Sequence, residues 1–352
     1  MADHQMPPRP LIQGPSAWMG AELARRPDEW MYHLSASDLV EIAAATAACA
    51  GRDIASITRT DFPLPTFGPV LDRMRDELLN GRGFVLLRGL PVEGRPIAES
   101  AAAYWGIGSY IGSARSQNAK GHVLGHVRDL GLATEDPNVR TYQTTERQHF
   151  HTDSCDVVGL LCLKTAKQGG LSSLTSSNMI YNVMAERHPD LVWRLFQPFA
   201  VDRRGEVPEG KQPWFDMPVF HDYQGHLSAI YSGTYIRSGQ RFAEVPRLTA
   251  EDFAALDCFD RLAEDQELRL DMSLRPGDIQ FVHNHTILHD RTSFVDWPEP
   301  GRKRHLLRLW LAVPGARPLP PVYAERYGSL EIGDRGGIIC PGTKLHAPLE
   351  PV

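Results

Sequence analysis

Two side chains that commonly bind metals stand two positions apart in the middle of the chain. His151 and Asp153 belong to the stretch His149–Ser154, which reads HFHTDS. On a β-strand, residues two apart project from the same face, so the imidazole and the carboxylate would point at one spot. Such a pair supplies two of the three ligands of a 2-His-1-carboxylate site, which holds non-haem Fe(II) and leaves coordination positions open. The third ligand must then come from a distant part of the chain.

The third ligand has three candidates in one later segment. They are His283, His285 and His289, and they follow a short apolar run that begins at Ile279. His283 and His285 come directly after the predicted strand and would share a face, whereas His289 lies beyond a second apolar step. The chain has 14 histidines, most of which are expected to be surface or hydrogen-bonded residues. Spacing alone therefore leaves the three candidates open.

Two arginines stand four positions apart in an apolar segment further along. Arg304 and Arg308 would share one strand face with Leu306 and Trp310. A buried guanidinium without a partner is costly, so each arginine requires an anion. A salt bridge to one of the chain's own acids is one interpretation. A bound dicarboxylate is the other, because guanidinium groups pair with carboxylates through two parallel hydrogen bonds.

The predicted secondary structure that must position these groups changes near residue 141, from mainly helices to mainly short strands. Before it, the sequence predicts helices over Leu39–Ala50, Gly68–Asn80 and Ile97–Gly108, with one buried strand between the second and the third. After it, short strands dominate, and a capping box at Thr249–Asp252 opens a further helix. Many short strands separated by turns predict two packed antiparallel sheets, as a sandwich or a jelly roll. The mouth of such a barrel is a usual place for a ligand pocket.

Composition limits the classes of partner. Lys and Arg number 37 and Asp and Glu number 43, so the formal net charge is −6, which disfavours nucleic-acid binding. Residues 1–15 are polar and proline-rich without the apolar segment of a secretion signal, and no run has the length of a transmembrane helix. The five cysteines are scattered and form no C-x-x-C motif. We therefore expect a cytoplasmic protein that binds neither nucleic acid nor membranes.

Taken together, these motifs resemble the TauD/TfdA (taurine dioxygenase-like) family of Fe(II)- and 2-oxoglutarate-dependent oxygenases. His151-Thr-Asp153 is similar to the family's His-x-Asp. Gly169-Gly-Leu-Ser172 is similar to its Gly-Gly-x-Thr, with serine in place of threonine, which keeps the hydroxyl donor.

Two later segments complete the resemblance. Asn284–Arg291 resembles the segment that carries the distal histidine, which selects His289 over the other two candidates. Arg304–Arg308 resembles the terminal arginine motif. The loop between His289 and Arg304 is longer than in the taurine enzyme, so taurine itself is not the predicted substrate.

The resemblance implies a fold, a set of cofactors and a ligand set. The fold is mainly β with flanking helices (α+β), built on a double-stranded β-helix (jelly-roll, cupin-like) core. The cofactors are Fe(II), the co-substrate 2-oxoglutarate and O2. Fe(II) would be held by His151, Asp153 and His289. The far carboxylate of 2-oxoglutarate would pair with Arg304 and Ser172, and Arg308 would lie near its other carboxylate or near an anionic group of the substrate.

The implied activity is that of a dioxygenase acting on a small polar or anionic metabolite. It would oxidise, most directly hydroxylate, an unactivated C–H bond and release succinate and CO2, with desaturation and ring closure also open. Two alternatives are a catalytically inactive jelly-roll binding protein and a Zn-dependent hydrolase, which would not need the two arginines. A homo-oligomer is consistent with the resemblance, because relatives are often dimers or tetramers.

Other residues have weaker indications of a role. Gln117, Asn118 and Tyr142 precede the metal motif, and together with Arg308 they are candidates for substrate contact. Arg291 is close enough to His289 to orient it. We expect one domain over residues 1–352, with a loosely ordered arm (1–20), a helix-rich part (21–140), a jelly-roll core with the metal site (141–315) and a C-terminal extension (316–352).

Overall fold

The computed structural model describes residues 9–132, 139–338 and 342–351. The strands are β1 (Met31–His33), β2 (Phe84–Arg88), β3 (Ser113–Arg115), β4 (Gly125–Val127), β5 (Gln148–His151), β6 (Val157–Lys164), β7 (Gln168–Gly169), β8 (Ser172–Ser176), β9 (Phe199–Asp202), β10 (Trp214–Met217), β11 (Phe220–Tyr223), β12 (His226–Ala229), β13 (Arg269–Met272), β14 (Ile279–His283), β15 (Ile287–Arg291), β16 (Phe294–Val295) and β17 (His305–Ala312). The helices are α1 (Gly20–Ala24), α2 (Ala36–Ala48), α3 (Gly68–Asn80), α4 (Ile97–Ile111), α5 (Ser177–Arg187), α6 (Pro189–Arg194), α7 (Gly233–Gly239), α8 (Ala250–Glu264) and α9 (Ala324–Tyr327).

Two sheets form the centre of the fold. The larger has the order β1-β2-β14-β6-β17-β3, with β4 also against β17, and the smaller has the order β13-β8-β15-β5. All pairings within these two sheets are antiparallel except β1 with β2. Apolar residues from both sheets share one buried cluster, so the sheets pack face to face. The predicted mainly β fold with a jelly-roll core and flanking helices is confirmed.

Strand β2 is an unbroken apolar run because both of its faces are buried. Phe84 and Leu86 belong to the cluster between the two sheets. Val85 and Leu87 belong to a second cluster, which the helices of the first third of the chain cover. Because successive side chains of a strand point to opposite faces, both faces of this sheet are buried.

The predicted helices are present, with differences at their ends. Helix α3 has the predicted bounds, and α8 begins at the predicted capping box, where the Thr249 hydroxyl accepts from the Asp252 N–H. Helix α2 begins at Ala36 rather than at Leu39, because Ser35 and Asp38 form a capping box one turn earlier. Helix α4 continues to Ile111, one turn beyond its predicted end.

The predicted boundary near residue 141 does not separate two structural parts. Strands β1 to β4 all precede it and all join the larger sheet, so the sheet core is not confined to residues 141–315. Three of these four strands have only three residues. Strands that short carry too little alternation to be recognised in a sequence.

The N-terminal arm is held against the body over the part that the structure describes. The Tyr181 hydroxyl donates to the Arg9 carbonyl at 2.7 Å, and the Ile12 N–H donates to Asn182 Oδ1 at 2.7 Å. The Trp18 side chain is buried in the cluster between the sheets. The expectation of a loosely ordered arm is therefore wrong from Arg9 onward, and residues 1–8 lie outside the described ranges.

The C-terminal extension is attached to the core through a buried ion pair. The Arg335 guanidinium donates to Asp156 Oδ1 at 2.8 Å, and both side chains are fully buried. Asp156 also lies 2.9 Å from His285 Nε2. The cysteines of the described ranges are unpaired thiols. No helix in these ranges has the length and apolar character needed to cross a membrane.

Buried neutral histidines make stability depend on pH. Burial lowers the pKa of His221 and of His285 to about 4 in the folded protein, whereas a histidine in the unfolded chain titrates near pH 6.5. Below pH 6.5 the unfolded chain binds more protons, so the free energy of unfolding should fall as the pH decreases from 6.5 toward 4. The expected loss at pH 5 is about 2 kcal/mol for each histidine.

Urea titrations at pH 7.5, 6 and 5 measure this dependence. His221→Gln should reduce the loss at pH 5 by about 2 kcal/mol, because the substituted side chain does not titrate whereas His285 still does. His33→Gln is the control, since His33 is exposed, and it should leave the dependence unchanged. Equal stability at pH 7.5 and pH 5 in the unmodified protein would contradict the prediction.

Candidate functional site

Two histidines face each other across neighbouring strands of the smaller sheet. Strands β5 and β15 pair antiparallel, with His151 directly opposite His289. Directly opposed residues hold their Cβ atoms about 5 Å apart, and the two imidazole ring centres are 4.2 Å apart. The register of the sheet thus brings His151 and His289 together, although they are distant in the sequence.

The position of Asp153 depends on a loop. Strand β5 ends at His151, so the argument from a single strand face does not apply to Asp153. The Asp153 N–H donates to Asn284 Oδ1 at 2.9 Å, which turns the chain back toward the imidazoles. Asp153 Oδ1 lies 3.7 Å from His151 Nε2, and Oδ2 lies 3.7 Å from His289 Nε2. The side chains of the motif lie together as predicted, but the single strand face assumed for them is absent, because the strand ends at His151.

The three side chains each present one ligand atom, all within 4.8 Å of one another. His151 Nδ1 lies 2.8 Å from the His149 carbonyl oxygen, and Nε2 lies 2.9 Å from the amide nitrogen of Gln148. This arrangement suits the tautomer with the proton on Nδ1 and the lone pair on Nε2. Burial and the neighbouring His151 lower the pKa of His289 to about 3, so this imidazole is neutral. Burial would raise the pKa of the Asp153 carboxyl, but the charged Arg308 holds it below its ordinary value. Two imidazoles and a carboxylate fit Fe(II).

The other two histidine candidates are engaged elsewhere. His283 Nδ1 lies 2.9 Å from the Thr286 hydroxyl. His285 belongs to the buried network of Asp156 and Arg335. The geometry therefore agrees with the selection of His289.

A small cavity beside the metal cluster contains a buried guanidinium. The Arg304 side chain makes no hydrogen bond or ion pair with any residue of the described ranges, although the residue is only 4% exposed. Burial lowers its pKa to about 10, so it is charged at neutral pH. Ser172, the first residue of β8, lines the same cavity. A Cβ at Gly170 would lie 3.1 Å from Arg304 Nε, so glycine leaves room for the guanidinium. This unpaired buried charge fits a carboxylate ligand.

Arg308 lies at the border between this cavity and a larger one. Its Nε donates to Gln117 Oε1 at 2.7 Å, and Gln117 Nε2 donates back to the Arg308 carbonyl at 2.8 Å. The guanidinium carbon lies 4.6 Å from the centre of the Tyr142 ring, and Nη1 lies 3.7 Å from Asp153 Oδ2. Arg308 thus has a carboxylate of the chain within 4.0 Å of its guanidinium, whereas the Arg304 guanidinium has none in the described ranges. The carboxylate nearest in the sequence, Asp296, accepts from the Arg304 backbone N–H at 2.8 Å.

Two predicted site residues have other partners. Asn118 lines neither cavity, and its Oδ1 accepts from two backbone N–H groups of the turn that follows. Arg291 lines the small cavity, but it donates to the carbonyl oxygens of Thr144 and Glu146 and not to His289. The Asn118 amide nitrogen also lies 3.1 Å from His122 Nδ1. The substrate contact of Asn118 and the orienting role of Arg291 stay predictions, and the contacts in the structure do not support them.

The larger cavity, of about 120 Å³, opens beside the metal cluster. Gln117 and Tyr142 line it as predicted, and so do two residues that the sequence reasoning missed, Trp310 and Arg326. Trp310 Nε1 donates to Asp153 Oδ2 at 2.8 Å, and its place on the same strand face as the two arginines was a usable signal. Arg326 comes from α9, where no sequence pattern indicated a role.

Comparisons with known proteins agree with this geometry. Residues 49–310 match the family described as taurine catabolism dioxygenase TauD, TfdA family. The chain is 32% identical over 321 residues to the FR-33289 synthase of Streptomyces rubellomurinus, covering 88% of this chain and 92% of that protein. It is 32% identical over 307 residues to a taurine hydroxylase-like protein of Stachybotrys chartarum, covering 83% and 77%.

The fold is also found in solved structures. The structure of asparagine oxygenase with Fe(II), 3-hydroxyasparagine and succinate superposes with a TM-score of 0.62 at 17% identity, covering 80% of this chain and 93% of that one. The jelly-roll core is thus shared with an iron oxygenase. Because the match spans most of the sequence, the chain belongs to the TauD/TfdA family of Fe(II)- and 2-oxoglutarate-dependent dioxygenases.

Proposed function

We propose that His151, Asp153 and His289 hold the Fe(II) of this dioxygenase. Bound Fe(II), together with 2-oxoglutarate and O2, supplies the oxidation of a substrate C–H bond, with release of succinate and CO2. Each histidine offers one ring nitrogen, and Asp153 offers the one carboxylate of the cluster. Trp310 holds Asp153 Oδ2 in place through its indole N–H.

The unpaired buried guanidinium of Arg304 is the observation that carries the assignment of 2-oxoglutarate. A dicarboxylate can satisfy Arg304 and the Ser172 hydroxyl with one end while its keto-acid end reaches the metal. Arg308, at the border of the two cavities, faces either the near carboxylate or the substrate. A zinc hydrolase would have no use for a cationic pocket beside its metal, and an inactive binding protein would have no need of the complete ligand cluster.

The substrate is a small polar or anionic metabolite that is hydroxylated in the larger cavity. Gln117, Tyr142 and Arg308 are the proposed contacts, since all three line this cavity. The family description and one relative's name refer to taurine, a sulfonate, which supports an anionic substrate class. The net charge of −6 disfavours nucleic-acid partners, and a cytoplasmic location without membrane partners is part of the proposal. A homo-oligomer is part of the proposal by analogy alone.

Anaerobic reconstitution tests the cofactor assignment without knowledge of the substrate. Adding Fe(II) and then 2-oxoglutarate should produce a weak charge-transfer absorption band in the green region. Candidate small acids and amino acids are then screened for succinate release triggered by the added compound. A folded, iron-loaded protein that gives no band would contradict the proposal, and zinc content and hydrolase activity would be measured next.

Trp310→Phe is expected to weaken Fe(II) binding by about 10- to 100-fold, the usual effect of removing a partner that orients a metal ligand. The substitution removes the indole donor to Asp153 Oδ2 and keeps an aromatic ring in the cavity wall. Competition with a coloured chelator under argon measures the affinity. Trp105→Phe is the matched control, since Trp105 is also buried and donates its indole N–H at 2.9 Å, but to the Ile57 carbonyl. Equal affinities in the two variants would show that Trp310 has no orienting role.

A further inference from the structure

Arg326 is a cation of the larger cavity that has no acid partner. Its Nε donates to the Ser154 hydroxyl at 2.6 Å. Within residues 9–132, 139–338 and 342–351, no carboxylate lies within 4.0 Å of its guanidinium nitrogens. The two Nη groups and the Ser154 hydroxyl proton therefore remain available as donors. Ser154 directly follows Asp153, so these donors lie one residue away from the metal cluster.

The position of Arg326 is fixed by packing on both sides. Tyr323 and Tyr327 flank it in the sequence, and both are buried in one cluster with Phe215 and Met217. The Tyr327 hydroxyl also donates to the Cys155 carbonyl at 3.3 Å. A guanidinium held at its base and anchored at Nε is preorganised for a ligand, because little side-chain entropy remains to be lost.

The other arginines of this cavity are already compensated. Arg140 pairs with Glu206 at 2.6 Å, and Arg147 pairs with Asp290 at 3.0 Å. Arg308 lies 3.7 Å from Asp153. Of the residues that line the cavity, Asp153 is the one with a carboxylate. The cavity thus has more positive than negative charge, and the uncompensated charge is that of Arg326.

Part of the wall of the larger cavity is apolar. Phe215, Met217, Ile230 and Ile338 line the same cavity. An apolar wall excludes water and strengthens an ion pair formed beside it. A ligand that satisfies both features has an oxoanion at one end and a short carbon chain beside it.

We propose that Arg326 and Ser154 form an anion subsite of the substrate pocket, where they bind an oxoanion group of the substrate. This inference rests on the proposed function, since it assigns the larger cavity to the substrate. Binding the oxoanion at Arg326 would place the carbon chain against the apolar wall and beside the metal cluster. Arg326 is in this account a specificity residue, and it takes no part in proton transfer.

Calorimetric titration with three probes tests the subsite. The probes are propylphosphonate, propanesulfonate and butyrate, with butanamide as the neutral analogue. The protein is loaded anaerobically with Fe(II) and saturating 2-oxoglutarate, so that Arg304 is occupied and does not bind the probe. The phosphonate, sulfonate and carboxylate arms distinguish which oxoanion the subsite prefers.

At least one anion should bind saturably, and Arg326→Gln should weaken that binding by about 10- to 100-fold, as expected for hydrogen bonds to a charged group. Ser154→Ala should weaken it less, and Arg326→Lys should recover part of the affinity. Arg25→Gln, which removes an exposed arginine, should change nothing. Unchanged anion affinity in Arg326→Gln, or no saturable binding of any of the three anions to the unmodified protein, would overturn the subsite.

The charge-transfer band distinguishes a failure of the anion subsite from a failure of the proposed function. The band should form equally in Arg326→Gln and in the unmodified protein, because Arg326 is not assigned to 2-oxoglutarate. If no band forms in either protein, the cofactor assignment fails. The anion titrations are then repeated on metal-free Arg304→Met protein with and without Arg326→Gln, where an unchanged affinity would still overturn the subsite.

Discussion

Asp153→Ala is expected to abolish Fe(II) binding and succinate release together. Asp153 is the single carboxylate of the cluster, and its removal leaves two neutral imidazoles without the charge that attracts a divalent cation. Partners that only orient a metal ligand contribute about 10- to 100-fold in affinity, so loss of the ligand itself should exceed ~100-fold. Equilibrium dialysis against Fe(II) under argon measures the affinity, and the charge-transfer band reports whether 2-oxoglutarate still binds.

Two further variants separate charge from packing. Asp153→Asn keeps the side-chain volume and removes the charge, so it should lose Fe(II) nearly as completely as the alanine variant. Asp28→Ala removes one exposed carboxylate and should bind Fe(II) normally. Tight Fe(II) binding with normal succinate release in Asp153→Ala would remove this residue from the proposed ligand set.

The metal motif was recognisable in the sequence because its chemistry is local. His151 and Asp153 are two residues apart, and any conformation that turns both side chains inward brings them together. The conformation itself was not predictable from this stretch, because the bond that turns the chain comes from Asn284. The start of helix α8 was also predictable, because the two residues of its capping box, Thr249 and Asp252, are close together in the sequence.

The choice of His289 needed information that spacing does not contain. The pairing of β5 with β15 places His289 opposite His151, and a register shift of one residue would turn the imidazole to the other face. Resemblance to a family supplied the answer because homologous chains share this register. The resemblance could not indicate a role for Arg326, because Arg326 lies in the C-terminal extension. The family match ends before it, at residue 310.

Arg304→Met is expected to weaken 2-oxoglutarate binding by about 30- to 3000-fold, because it removes one partner of a buried, hydrogen-bonded charge pair. Fe(II) binding should remain, since Arg304 is not part of the metal cluster. The dependence of the charge-transfer band on 2-oxoglutarate concentration measures the loss. Arg304→Lys should recover only part of the affinity, because an ammonium group cannot form two parallel hydrogen bonds with a carboxylate.

The stability of the ligand-free protein distinguishes a binding role of Arg304 from a structural one. A buried guanidinium without an ion-pair partner destabilises the fold, so Arg304→Met should unfold at the same or a higher urea concentration, with a gain of up to ~4 kcal/mol. Arg335→Met is the contrast, since Arg335 is equally buried but pairs with Asp156. That variant should lose about 3–5 kcal/mol, because it leaves the carboxylate buried without its partner. If Arg304→Met were destabilised to the same extent and still bound 2-oxoglutarate, Arg304 would be a structural residue, and the buried charge would need another explanation.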